Sequence, residues 1–345
     1  MNKKILITGG CGFIGSNLAI FLKDRKFEVD TLDNFSRDGS ELNLKNLKKK
    51  NIKNYKIDIF NKKKILRLPK YDFIIDCCAD PAIDSFVKDS QRVLNTNLIG
   101  TYNILEKCSI DKSNLIFLST SRVYSLNKIK NKIKKNKILK KLKLNKSHTI
   151  SESFPTDSPI SFYGFTKLSS ENLIKEYSFF SKIKYINNRF GVVSGPWQFG
   201  KVEQGFLSLW VWKHIVNGKL TYKGYGANGY QVRDILHIKD LCFIIKKQIS
   251  NFNKINCKTF NIGGGLKNII DLKTLTEKCY YLTKNKIEIF KDLKTSKLDI
   301  PFFVSNNTRV MKYYKWKPKF KINSIIKDVY NWQIKNFKIL KKYMK

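Results

Sequence analysis

Lys4-Ile-Leu-Ile-Thr-Gly-Gly-Cys-Gly-Phe-Ile-Gly-Ser-Asn17 is the stretch whose reading decides the fold. Ile5, Leu6 and Ile7 form a short aliphatic run, Gly9 marks a turn, and Leu18, Ile20, Phe21 and Leu22 then read as an apolar helix face. The pattern predicts strand, glycine turn, helix. Gly9, Gly12 and Gly15 have separate tasks: a tight turn, close approach of backbone to a pyrophosphate, and a helix start that packs on the strand. Phe13 and Ile14 belong to the helix's first turn, whose N–H groups would face the phosphates. The spacing, G-x-x-G-x-x-G, is wider at its first step than the usual G-x-G-x-x-G.

Val29 to Asp33 reads as a second strand ending in an acid 18 residues after Gly15, where a carboxylate can accept both ribose hydroxyls of an adenosine. Asp33 therefore favours NAD over NADP, since a 2′-phosphate would meet it as a like charge. Asn34, Ser36 and Arg37 follow in a polar loop within reach of the same ligand, and Arg37 weakens the preference. Tyr55 to Asp58 predicts a third strand, with Asp58 and its neighbour Ile59 placed at the adenine edge. Phe73 to Ala79 is a fourth, wholly apolar in its body and so central in a parallel sheet, with Ala79 at its ligand end. Val93 to Cys108 reads as one long helix carrying Asn97, a candidate cofactor contact, with Gly100 and Thr101, and Leu115 to Leu118 as a fifth strand. Strands alternating with helices predict an α/β, doubly wound parallel Rossmann-type sheet. A dinucleotide-binding domain is expected over 1–190 and a smaller lobe, partly interleaved with it, over 191–345. The smaller lobe is assigned the strand-like Thr259 to Ile262.

No run of 18 apolar residues exists to span a membrane, and the N-terminus enters a strand without a secretory pattern, so the expected location is cytoplasmic. The seven cysteines, including the adjacent Cys77 and Cys78, show no C-x-x-C and are expected to be reduced core or near-core residues. The three histidines, His148, His214 and His237, lack metal-ligand spacing, and no metal site is expected.

The net charge is +40, carried by 59 lysines and only 8 arginines. Readers of nucleic acid concentrate arginine for bidentate contacts to phosphate and guanine. The excess lysine is therefore read as solvated surface charge, with nonspecific, salt-dependent adhesion to polyanions. Asn127 to Lys146, half of whose residues are lysine, is read as a poorly ordered surface insertion, a basic amphipathic helix being the alternative.

The chemistry is assigned to Thr120, Tyr163 and Lys167. Tyr163 and Lys167 lie four residues apart on the predicted helix Ser161 to Phe180 and so share a face. A free phenol, with a pKa of about 10, is a poor base at neutral pH. An adjacent ammonium favours its phenolate. Lys167 also has donors for a nicotinamide ribose, and Thr120 ends the fifth strand at the edge where open α/β sheets bind ligands. Such a set removes a proton from a sugar hydroxyl while its carbon is oxidised by NAD.

Here the chain resembles the extended short-chain dehydrogenase/reductases, the NAD-dependent epimerase/dehydratase family of nucleotide-sugar enzymes. The resemblance runs from Lys3 to about Pro318 and rests on the residues above with Ser119-Thr-Ser-Arg-Val-Tyr124, Tyr163-Gly-Phe-Thr-Lys167 and Val232-Arg-Asp-Ile-Leu-His-Ile-Lys-Asp-Leu241. Dehydratases of this family carry Asp-Glu after the catalytic hydroxyl, a base and an acid for eliminating water. This chain has Ser121 and Arg122 there, which leaves epimerases and reductases. Three stretches narrow the resemblance to 2-epimerases of CDP-linked sugars: Asn34 to Gly39, Gly195 to Gly205 and Gln231 to Asp234. It implies that Arg233 holds the nucleotide diphosphate and that Gln198, Gln204 and Gln231 line the substrate side, ordinary loop polarity being the alternative for the glutamines. Trp197 either packs over the sugar or fills the interior. A homo-oligomer is expected by analogy. The competing readings are a 4-epimerase or reductase of the same family, and a non-catalytic NAD-binding protein with a polyanion-binding surface.

Overall fold

The computed structural model describes residues 3–81, 85–134, 144–201 and 204–344. Six strands open the chain: β1 (Lys4–Thr8), β2 (Glu28–Asp33), β3 (Lys53–Lys56), β4 (Phe73–Asp76), β5 (Asn114–Thr120) and β6 (Tyr185–Phe190). Seven more follow: β7 (Val192–Ser194), β8 (Leu220–Lys223), β9 (Val232–His237), β10 (Lys258–Ile262), β11 (Ile269–Asp271), β12 (Ile289–Asp292) and β13 (Phe302–Phe303). The main sheet runs β10-β6-β5-β4-β1-β2-β3. Its central pairs are parallel, with Ile7 beside Ile75 and Thr8 beside Asp76. Sequence order reverses between β1 and β4. In open α/β sheets the crevice beyond the strand ends at such a reversal is where ligands bind.

Phe73, Ile74 and Ile75 are buried on both faces of the sheet, and each contributes roughly 1.5–3 kcal/mol by leaving water. Leu6, Leu32, Leu115 and Phe117 join Ile74 in one core with Ile104 and Ile174 of the covering helices. These residues belong to a first compact unit, 1–123, 161–189 and 242–260. A second unit, 124–160, 190–241 and 261–345, has its own core around Leu207, Ile235, Leu275 and Val329. Within it β11, β9 and β13 form a sheet that β7 also joins through β9.

Several expectations need correction. The second unit includes 124–160 and the first includes 242–260, on either side of the expected division at 190. β10, expected in the smaller lobe, is an edge strand of the main sheet, with 258–260 in the first unit and 261–262 in the second. The helix expected over Val93 to Cys108 is two helices, Ser85–Leu94 and Gly100–Asp111, joined by a π-helical turn at Asn95–Ile99. The lysine-rich insertion begins as an ordered helix, Leu126–Lys134, that buries Leu126 and Ile129; residues 135–143 lie outside the described residues. Cys257 is exposed rather than near the core. No helix among the described residues is long and apolar enough to cross a membrane.

Candidate active site

The glycine turn is built by exclusion of side chains. Gly9 has φ +60°, and a Cβ on Gly15 would lie 2.2 Å from the Gly9 carbonyl oxygen, closer than any real contact. Gly10, passed over in the sequence reading, is equally constrained, because its Cβ would meet Thr31 at 2.2 Å. No side chain caps the helix Phe13–Lys23, so its first-turn N–H groups, including those of Phe13 and Ile14, are left for an anion. The Asp33 carboxylate accepts from the backbone N–H of Cys11 at 2.9 Å and of Phe35 at 2.8 Å, which fixes it beside the turn with lone pairs to spare. These features fit a dinucleotide. Gly15→Ala is expected to abolish cofactor retention, read as NAD released on denaturing the purified protein, with a lower unfolding temperature.

The loops that follow β2 and β3 are tied together, since Asn34 donates to Asp58 at 2.7 Å and accepts from the Ser36 N–H at 2.9 Å. Asp58 lies beyond the end of β3 rather than in it. Ile59 is buried in the core, where a Cβ on Gly100 would strike it at 2.7 Å, so only its backbone is available to a ligand. Asn97 also has both of its amide N–H donors committed within the fold. Its amide donates to the Asp80 carbonyl at 3.1 Å and Thr166 Oγ1 at 3.0 Å, and accepts from the Asp80 N–H at 2.8 Å. It therefore positions the loop carrying Ala79 against the helix Phe162–Ser181 instead of offering its own side chain to a cofactor.

That helix starts at Ser161, whose hydroxyl accepts from the Gly164 N–H at 3.0 Å. A Cβ on Gly164 would fall 2.2 Å from the Arg122 carbonyl oxygen, so the bare glycine lets the first helical turn seat on the segment after β5. The result brings the predicted pair together: Tyr163 is hydrogen-bonded to Thr120. Burial pushes the Tyr163 phenol up to about 12, while the Thr120 bond and the cations Arg122 and Arg37 pull it down. Lys167 is fully buried, its Nζ 4.0 Å from the centre of the Phe117 ring. Burial lowers its pKa and the Asp76 carboxylate opposes the shift. The cations that pull the phenol down are Arg122 and Arg37.

Two buried acids that spacing did not reveal organise this centre. Asp76, at the end of β4, accepts from Thr8 Oγ1 at 2.6 Å and Thr101 Oγ1 at 3.2 Å, across the reversal of strand order. Glu171, one turn beyond Lys167, accepts from Ser119 Oγ at 2.5 Å and is gripped by Arg189 at 2.7 Å. Cys77 and Cys78 flank the glycine turn, where the Cys78 N–H donates to Thr8 Oγ1 at 3.1 Å and burial pushes both thiols up.

In the second unit, Arg233 donates to Asp299 at 3.1 Å and to the carbonyls of Ile300 and Val232, each at 2.9 Å. Gln231 donates to the Lys223 carbonyl at 2.5 Å and keeps a buried Oε1 without a partner among the described residues. Gln204 exchanges backbone hydrogen bonds with Lys201. Gln198 corrects the expectation: its amide is used inside the fold, donating to the Val193 carbonyl at 3.0 Å and accepting from Ser194 Oγ at 2.8 Å. Trp197 packs on Trp332 with ring centres 5.6 Å apart, which favours the interior reading. His237 accepts from the Lys239 N–H, His214 Nδ1 bonds to the Trp210 carbonyl, and His148 sits in the Asn145 capping box. No group of three metal-ligating side chains occurs among the described residues.

Known proteins place this architecture. CDP-paratose 2-epimerase of Salmonella typhi is 29% identical across 95% of this chain and 98% of its own. UDP-glucuronate 4-epimerase of Thermodesulfobacterium geofontis is 26% identical across 97% and 98%. Among solved structures, UDP-glucuronic acid 4-epimerase of Bacillus cereus, in complex with UDP-glucuronic acid and NAD, has a TM-score of 0.80 at 24% identity, covering 96% of this chain and 99% of that one. The sequence model of the NAD dependent epimerase/dehydratase family matches residues 5–263. The chain belongs to that family of enzymes, and its cofactor is NAD.

Proposed function

We propose that the chain is a nucleotide-sugar epimerase acting at C2 of a CDP-linked sugar of the paratose type. The observation that carries this reading is the grouping of Tyr163 with Thr120 and Arg122, a base without the neighbouring acid pair that water elimination requires. NAD bound at the glycine turn supplies the acceptor and later the donor of hydride. Tyr163 takes the proton from the substrate hydroxyl, and Thr120 shares that proton through its hydrogen bond. Lys167 holds the nicotinamide ribose, and Asp33 the adenosine ribose. Gly9, Gly12 and Gly15 admit the pyrophosphate. Arg233 holds the substrate's diphosphate, with the partnerless Oε1 of Gln231 as an acceptor for a substrate hydroxyl. The keto sugar formed presents its opposite face before it is reduced again, so no net redox change occurs. The full-length similarity to CDP-paratose 2-epimerase supports C2, and that to UDP-glucuronate 4-epimerase keeps a 4-epimerase as the second reading.

Protein purified without added cofactor is expected to release about one equivalent of NAD on denaturation and to interconvert CDP-paratose and CDP-tyvelose, followed by NMR of the anomeric and H2 signals. Turnover of UDP-glucuronate with no reaction of the CDP-sugars would replace the first reading by the second. Stoichiometric consumption of free NADH or NADPH would make the protein a reductase.

A further inference from the structure

The lysine-rich insertion contributes a fixed element to the second unit. Leu126 and Ile129 bury one side of the helix Leu126–Lys134, and three of its lysines have defined partners. Lys128 pairs with Asp157 at 3.2 Å, Lys132 donates to the Ser147 carbonyl, and Lys130 Nζ donates to the Lys297 carbonyl at 2.7 Å. The last of these partners matters for binding. Lys297 lies in a short turn closed by the Asp299 N–H on the Ser296 carbonyl at 3.1 Å.

Asp299, the next-but-one residue, accepts from Arg233 at 3.1 Å, and Ile300 accepts from the same Nη2. Three of the five guanidinium N–H donors of Arg233 are thereby committed within the fold, and two have no partner among the described residues. Two of the three committed bonds, both from Nη2, end on one loop, 295–300. Tyr225 holds that loop by donating from its hydroxyl to the Asp299 carbonyl at 2.8 Å and from its N–H to Thr295 Oγ1 at 2.9 Å. Lys130 holds it from the insertion.

We propose that Lys130 is a positioning residue for nucleotide-sugar binding, fixing the 295–300 loop so that Asp299 aims Arg233 at the substrate diphosphate. The proposal rests on the reading of Arg233 given above. It adds the insertion to the binding machinery, where a solvated lysine tract has no such part. A charge-assisted hydrogen bond to a single carbonyl restrains a loop and leaves the reacting atoms alone, so the effect belongs in affinity rather than turnover.

The test is titration calorimetry of CDP, and of UDP in parallel, into NAD-loaded wild type, Arg233→Ala, Lys130→Met, Lys130→Arg and Lys63→Met. Lys63 is an exposed lysine of the first unit and controls for loss of bulk charge. Lys130→Met is expected to weaken binding about five- to tenfold, with Lys130→Arg within twofold of wild type and Lys63→Met unchanged. Steady-state assays should show the same loss in KM, with kcat within twofold. Lys130→Met binding like wild type, while Arg233→Ala binds poorly, overturns this inference alone. Equal weakening by Lys63→Met also overturns it. Failure of wild type to bind either nucleotide, or indifference of binding to Arg233→Ala, overturns the underlying reading of Arg233 and this inference with it.

Discussion

Tyr163→Phe is expected to slow epimerisation by about 10²- to 10⁴-fold, the range in which a positioned acid–base group contributes. The ring that packs beside Thr120 is retained, so NAD content and unfolding temperature should stay near wild type. Full activity in this variant would remove Tyr163 from the reaction. The pH profile gives an independent reading. Burial holds the phenol near 12, against the pull of Thr120, Arg122 and Arg37. The basic form is therefore scarce at neutral pH, and kcat/KM of the wild type should rise with pH across the neutral and alkaline range. The Phe variant should lack that limb. Arg122→Met removes a cation that favours the phenolate, so its limb should move to higher pH and its activity at pH 7 should fall. A limb unmoved by Arg122→Met would assign the pH dependence to another group.

What the sequence disclosed follows the distance over which each signal acts. The glycine turn, the acid at Asp33 and the i, i+4 pair Tyr163 and Lys167 are local patterns, so strand, turn and helix could be placed from neighbours alone. Gly10 escaped notice because its partner, Thr31, comes from the next strand. Asp76 and Thr8 meet only because the strand order reverses between β1 and β4, a fact of sheet topology rather than of spacing. Asn97 was read as facing a cofactor, yet a π-helical turn brings it under Asp80 and Thr166. Thr259 to Ile262 has the same strand-like composition at a sheet edge as in a separate lobe, and pairing with β6 decided between them. The insertion shows how composition misleads: half lysine, it reads as solvated chain, but burial of Ile129 and of Leu126 just before it helps to seat its first turns.

The largest expected effect on stability comes from behind the reacting groups. Glu171 and Arg189 form an ion pair that is nearly inaccessible to water, at 0% and 7% exposure, with both carboxylate oxygens engaged. Taking two such charges out of water is costly, and the pair persists because each compensates the other. Glu171→Ala removes the carboxylate that grips the buried Arg189 guanidinium and accepts from Ser119 Oγ. The expected cost is about 3–5 kcal/mol, read from urea unfolding as a lower midpoint at unchanged slope. Replacing both partners by apolar residues, as in Glu171→Leu with Arg189→Met, should recover much of that loss, because no uncompensated charge is left. Activity should not return with stability. Ser119 precedes Thr120, and Glu171 lies one helical turn from Lys167, whose charge it supports. The double variant should therefore fold and retain the sheet while turning over more slowly than wild type. Recovery of both stability and turnover would mean that the buried pair serves folding alone.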